Sequence, residues 1–175
     1  MNIAVIGYSG DPEKEPIKTL QNIIFELGKI ISKNNWTLFS GGRDGVMELI
    51  SKSVKEHGGK TVGILPWEIN GNDYLDISIK TGLDFSMRSY VLVKSVDIVI
   101  SIGGEIGTGI EILGAYANRK PVILLSGTGG WTDRIQKILI DGKYLDNRKL
   151  SEVYIVNDLN KLEELLKKLQ EEYYD

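Results

Sequence analysis

Glycine falls in four places where a main chain could hold a negatively charged group. The four are Gly7-Tyr8-Ser9-Gly10, Gly41-Gly42-Arg43-Asp44-Gly45, the run Gly103-Gly104-Glu105-Ile106-Gly107-Thr108-Gly109, and Gly127-Thr128-Gly129-Gly130. Each follows a short apolar run and precedes a helical pattern. Glycine accepts positive φ and lets a backbone approach a phosphate closely. A helix N-terminus adds unpaired N–H donors and a partial positive charge. One such turn is ordinary strand-to-helix geometry; four on one sheet edge favour an anion site. The candidate ligand-binding residues are Gly7, Ser9, Gly10, Gly41, Gly42, Arg43, Gly45, Gly103, Gly104, Gly107 and Thr108, the last through its hydroxyl or as a helix cap. None of the turns has the G-x-G-x-x-G spacing of a dinucleotide fingerprint, and no Walker lysine follows any of them, which counts against NAD and ATPase readings.

The elements needed to bring these turns together are visible in the pattern. Ile3–Gly7, Trp36–Ser40, Thr61–Leu65, Asp97–Ile102, Pro121–Leu125 and Val153–Val156 are short, apolar and non-alternating. Strands covered on both faces look like this. Helical patterns lie between them, at Ile17–Lys33, Val46–Glu56, Met87–Val96, Ile110–Asn118 and Trp131–Leu139, with a last helix starting near Asp158, a good N-cap. Alternating strands and helices predict a Rossmann-like α/β three-layer sandwich with a mostly parallel sheet of about six or seven strands. All four glycine turns then lie at the strand C-termini, where ligands of such sheets sit. Trp67–Phe85 interrupts the alternation. It carries the turn signal Asn70-Gly71-Asn72-Asp73, offers Ile77–Lys80 as a short edge strand, and is placed to overhang the site.

Composition narrows the classes. The 175 residues suit one domain spanning 1–175, with 42% hydrophobic and 26% charged residues. The chain has no cysteine, which removes disulfides and thiolate chemistry and fits a reducing compartment. No signal-like or membrane-length apolar run is present, so a cytoplasmic location is expected. A net charge of −3 without a basic cluster argues against a nucleic-acid surface. The single histidine, His57, sits beside Gly58-Gly59 and reads as a helix C-terminal residue; no metal site is expected. The leucine stripe Leu159, Leu162, Leu165, Leu166 and Leu169 reads as core rather than interface. Tyr8, Trp67, Tyr74 and Trp131 are candidates for ring stacking, each with a core or surface reading that is simpler.

Two blocks carry a resemblance. Ser40-Gly41-Gly42-Arg43-Asp44-Gly45-Val46-Met47 with Gly58-Gly59-Lys60-Thr61-Val62-Gly63-Ile64-Leu65-Pro66, and then Gly103-Gly104-Glu105-Ile106-Gly107-Thr108-Gly109-Ile110-Glu111, resemble the Lonely Guy superfamily, long labelled "possible lysine decarboxylase". The second block is similar to the superfamily's P-G-G-x-G-T-x-x-E. The resemblance covers most of residues 1–156, and the opening Ile-Gly-Tyr-Ser-Gly looks closest to the molybdenum cofactor carriers. It implies a Rossmann-like homo-oligomer, a dimer or tetramer, that binds a small phosphate-bearing ligand: a nucleotide or the molybdenum cofactor. No cofactor would be required. The alternative it implies is a nucleoside 5′-monophosphate phosphoribohydrolase, in which Arg88 and Glu111 fall on the catalytic arginine and glutamate. A carboxylate can stabilise an oxocarbenium-like centre and orient water, and an arginine can clamp oxygens bidentately.

Two departures stand out. Counted without a gap, Glu105 falls where the superfamily has glycine, bringing negative charge to a phosphate loop; setting Gly103-Gly104 on the glycine pair instead requires one inserted residue. Arg43-Asp44 replaces a small neutral stretch, and Arg43 is a candidate to offset Glu105. A non-catalytic interaction module, using Tyr173-Tyr174 at the C-terminus, is a third reading.

Overall fold

The computed structural model describes Met1–Tyr174, with side chains as far as Glu172. Tyr173 and Tyr174, as side chains, lie outside the described residues. The elements run β1 (Asn2–Gly7), α1 (Ile17–Lys33), β2 (Thr37–Ser40), α2 (Val46–Glu56), β3 (Lys60–Leu65), β4 (Ile77–Lys80), α3 (Phe85–Lys94), β5 (Ile98–Ile102), α4 (Ile106–Ala117), β6 (Val122–Leu125), α5 (Gly130–Ile135), β7 (Val153–Val156) and α6 (Leu159–Tyr174). One 7-stranded sheet results, in the order β4-β3-β2-β1-β5-β6-β7, and every pairing is parallel.

The strands are apolar on both sides because both sides are covered. Ile3, Val5, Leu38, Ile98 and Ile100 point into a core closed by Ile24, Leu27 and Ile31 of α1, Ile50 and Val54 of α2, and Leu162, Leu166 and Leu169 of α6. Ala4, Ile6, Val62, Ile64, Val99 and Val122 point the other way, onto Leu92 and Val93 of α3, Ile112 and Ala115 of α4, and Ile135 of α5. This period-2 division of continuous apolar runs is what a parallel sheet between two helical layers requires. The α6 leucines are spent on the core.

Helix starts follow local chemistry, and here the pattern reading shifts. α3 begins at Phe85, two residues ahead of expectation, because Asp84 accepts a 2.9 Å hydrogen bond from the Met87 amide. α6 starts at Leu159, with Asp158 accepting from the Lys161 amide at 2.9 Å. α4 begins at Ile106, four residues before the expected Ile110. Gly107, Thr108 and Gly109 are therefore the first turn of a helix, not a loop before it. α5 is short and passes into a 3₁₀ turn at Gln136–Ile138. No helix among the described residues is long and apolar enough to cross a membrane.

Candidate ligand site at the sheet switch point

β1 is where the winding reverses: β2, β3 and β4 extend to one side and β5, β6 and β7 to the other. The loops after β1 and β5 part there and leave a crevice. A cleft of about 330 Å³ fills it, and Gly7, Ser9, Gly41, Arg43, Arg88, Gly107, Thr108 and Glu111 line it. So do Asp44, Met47, Phe85, Ser86, Ser89, Ile106 and Ile110.

The remaining glycine candidates lie outside the cleft, and all but Gly10 serve packing. Gly103 donates its amide to Thr128 Oγ1 at 2.8 Å, and its carbonyl accepts from Thr132 Oγ1 at 2.7 Å. The space a Cβ would take at Gly104 is filled by Thr108. Gly42 sits against Leu65 and Gly63, with its amide bound to Ser40 Oγ. Gly45 is pressed to the backbone of Tyr8 and Ser9. Gly10 has φ 114° and does not reach the cleft. Thr108 is at the wall, but its hydroxyl donates to the Gly7 carbonyl at 3.2 Å, tying α4 to β1.

The four turns differ in what occupies their amides. In the Gly127–Gly130 turn, Asp133 accepts from Gly127 at 2.9 Å and from Gly129 at 2.8 Å. The chain supplies that helix start with its own anion. α4 has no acidic residue in its first turn, and Glu105 at its N-cap makes no capping bond. The N–H groups of Ile106, Gly107 and Thr108 have no partner within the helix. Gly107 is exposed, with open space where a Cβ would sit. All three residues line the cleft.

Facing that turn is Arg88 on α3. It is 5% exposed, and its Nε and Nη1 are buried without a hydrogen-bond partner. Arg88 is not a surface residue. Its Nη1 lies 3.7 Å from Glu111 Oε1, an ion pair too long to be a hydrogen bond. Burial pulls the guanidinium below its ordinary range, against the opposing pull of Glu111, and Arg43 adds to the lowering. Buried donors on a cation are costly to leave unpaired. Arg88 thus lines the cleft with two buried donors that no group among the described residues satisfies.

Glu111, on α4, is 8% exposed and accepts from Ser89 Oγ at 2.9 Å. Burial raises its pKa, with Arg88 and Ser89 pulling the other way. A carboxyl raised in the folded protein is favoured at low pH, and its contribution is lost as pH climbs from about 4.5 through the higher folded value. Glu111→Gln should therefore gain stability relative to wild type as pH rises through that window. Thermal melts of both proteins from pH 4 to 8, about the span of a raised carboxyl titration, check this; a constant difference would contradict it.

Gly41 makes room for the arginine. A Cβ there would collide with Arg88 Nη1 and meet Met47 Sδ at 2.6 Å. Arg88 is buried and paired with Glu111, so Gly41→Ala should lower the melting temperature. It should push the guanidinium aside and cost about tenfold in affinity for a phosphate ligand, the worth of one charged hydrogen bond. Parallel melts and calorimetric titrations separate the two effects.

Glu105 does not enter the cleft. Its side chain is 69% exposed and lies 3.8 Å from Arg134. The partner foreseen for it, Arg43, lies elsewhere, with its guanidinium 5.5 Å from the Phe85 ring centroid. The Trp67–Phe85 segment does reach the site. Asn72 binds the Gly42 carbonyl through its amide and the Arg43 carbonyl through Nδ2, both at 2.8 Å. Trp67 packs edge-on to Phe85, with centroids 5.0 Å apart. Ser89, Phe85 and Met47 were not foreseen. Ser89 follows Arg88 directly, and its hydroxyl reaches both the Phe85 carbonyl, at 3.1 Å, and Glu111 across the cleft.

A doubly wound parallel sheet with this cleft at its reversal point defines a Rossmann-like protein of the Lonely Guy superfamily. Within it, the chain belongs to the SLOG cluster4 family, whose model matches residues 1–162. The X-ray structure of TM1055, a structural genomics target, is 56% identical with a TM-score of 0.94, covering 95% of this chain and 98% of that one. The molybdenum cofactor carrier protein of Chlamydomonas reinhardtii is 30% identical with a TM-score of 0.80, covering 97% of this chain and 98% of its own. A probable cytokinin riboside 5′-monophosphate phosphoribohydrolase of Oryza sativa is 30% identical over 124 residues, 64% of this chain. The match spans half of that protein's length.

Proposed function

We propose that the cleft binds a small nucleotide-like or pterin-phosphate ligand, in the manner of a cofactor carrier, with the phosphate between the first turn of α4 and the Arg88 guanidinium. The buried, unpaired Nε and Nη1 of Arg88 are the observation that carries this reading. The volume of about 330 Å³ suits a single nucleotide-sized group. The end-to-end similarity to the Chlamydomonas carrier supports the carrier form over the hydrolase, whose rice relative is matched over half its length. For the molybdenum cofactor as cargo, the fit is through its phosphate. Among the described residues no three His, Cys, Asp or Glu side chains gather to hold a metal. The ring would lie toward Phe85, the exposed aromatic of the cleft wall.

Calorimetric titration with AMP, with GMP and with molybdenum cofactor released from a donor enzyme tests the reading. Saturable binding of at least one, lost in Arg88→Met, is expected. No heat with any of the three contradicts it.

Glu111 supports a second reading, that of a phosphoribohydrolase. A buried carboxyl hydrogen-bonded to Ser89 and beside Arg88 is placed to stabilise positive charge at a ribose C1′ and to orient water. Free adenine released from AMP by wild type, and not by Glu111→Gln, would establish it. Binding without base release leaves the carrier reading standing.

A further inference from the structure

Glu111 is a buried carboxyl on the cleft wall, with Arg88 Nη1 3.7 Å from its Oε1. The elements packed on α4 bring it no second cation among the described residues. β1, β5 and β6 carry no ionisable side chain. On α3, Tyr90 faces Gly114, and Lys94 is exposed in the last turn. On α5, Arg134 lies 3.8 Å from Glu105, and Asp133 accepts from the Gly127 and Gly129 amides. Arg43 and Asp44 stand on the cleft wall after β2, and Arg43 lies over the Phe85 ring. Arg88 is therefore the cation on which Glu111 depends, and a ligand phosphate would draw on the same one.

Ser89 lets the carboxyl hold a proton without losing its hydrogen bond. Its Oγ donates to Glu111 Oε1 at 2.9 Å and lies 3.1 Å from the Phe85 carbonyl. A hydroxyl has one proton to give and lone pairs that accept. Beside a carboxylate, that proton points to Glu111. Beside a carboxylic acid, Glu111 donates to Ser89 Oγ, and Ser89 turns its proton to the Phe85 carbonyl. Neither state leaves the buried carboxyl unpaired. Burial already raises the Glu111 pKa, against the pull of Arg88 and Ser89. Two anions flanking one guanidinium lie on the order of 6 Å apart, close enough for each to oppose the other's charge.

On the reading that Arg88 seats a phosphate, we propose that ligand binding draws one proton from solvent onto Glu111, with Ser89 as the positioning residue that turns from the carboxylate to the Phe85 carbonyl. No bond within the ligand changes. Proton and phosphate then favour each other reciprocally. Calorimetric titration with AMP in buffers of different ionisation heat counts the proton, between about pH 5 and 9, the range of raised carboxyl pKa values. Uptake should reach about one proton per AMP within a window of pH, and there Kd should rise about tenfold per pH unit. In Glu111→Gln both effects should vanish, leaving the titration of the AMP phosphate itself, with a second pKa of about 6. Ser89→Ala, which takes the donor from the carboxylate, should move the window to higher pH; a window that stays in place would make Ser89 a packing residue and overturn its part. AMP binding without proton uptake at any pH, or uptake undiminished in Glu111→Gln, overturns the proposal and leaves the phosphate seat standing. No binding of AMP at any pH removes the seat and the proton with it.

Discussion

Arg88→Met is expected to weaken binding of a nucleoside monophosphate by about 100-fold or more. Hydrogen bonds to a charged group contribute about 1.5–3 kcal/mol each, and Arg88 lines the cleft with two buried donors that have no partner. Methionine keeps the apolar stem of the side chain and removes the guanidinium, so most of the cleft wall survives. The stability consequence follows from Glu111, which loses its cation while staying buried. Breaking a buried pair on one side costs about 3–5 kcal/mol, yet removing both charges is often neutral. Glu111 softens the loss by taking up a proton, since burial already raises its pKa. The single variant should melt lower than wild type, and Arg88→Met/Glu111→Gln should recover most of the difference without recovering the ligand. A double variant that restores binding would show that the guanidinium is a structural partner only.

Gly45→Ala is expected to be the most damaging of the glycine substitutions at the switch point. Gly45 has φ 65° and ψ −129°, a region that L side chains avoid. A Cβ there would meet Ser9 Cα at 2.9 Å and Ser9 C at 3.0 Å, with the Tyr8 carbonyl closer still. These are backbone atoms, and the Val46 amide already binds the Tyr8 carbonyl at 2.9 Å. The turn after β2 therefore cannot retreat without dragging the turn after β1 with it. Strained dihedrals cost about 1–3 kcal/mol, and the collision adds to this. A loss of about 3 kcal/mol lowers the melting temperature by roughly 6–12 °C in a chain of this size. Gly58→Ala is the control: φ is 75°, but nothing lies within 4 Å of its Cβ. Equal effects of the two substitutions in thermal melts would mean that the contact between the turns contributes nothing.

The sheet and its two helical layers were legible because strand burial leaves a plain mark. Ile3–Gly7 and Asp97–Ile102 are apolar without alternation, and only a strand covered on both faces uses residues that way. Helix starts were less legible. Ile106 opens α4 among glycines, which propensity reads as loop; the helix survives there because Thr108 ties to Gly7 and Ile112 and Ala115 bury behind it.

Glycine content alone could not sort open turns from closed ones. Gly127–Gly130 and Gly103–Gly109 look alike in sequence. The difference is Asp133, which reaches back to the Gly127 and Gly129 amides in one, against an empty first turn in the other. Glu105 misled for a related reason. Sequence places its charge in the loop, and only the backbone direction at the N-cap turns it outward to Arg134. The cleft partners Ser89 and Phe85 lie on α3, far in sequence from the glycine turns, and no spacing rule connects them.

Arginine side-chain and backbone ¹H–¹⁵N spectra during titration with AMP report on the anion seat itself. Saturable shifts of the Arg88 Nε–H and of the Ile106, Gly107 and Thr108 amides, with the Gly127 and Gly129 amides unmoved, are the predicted result. Shifts confined to other residues, or an Arg88 Nε–H that stays put while AMP binds, would contradict the account.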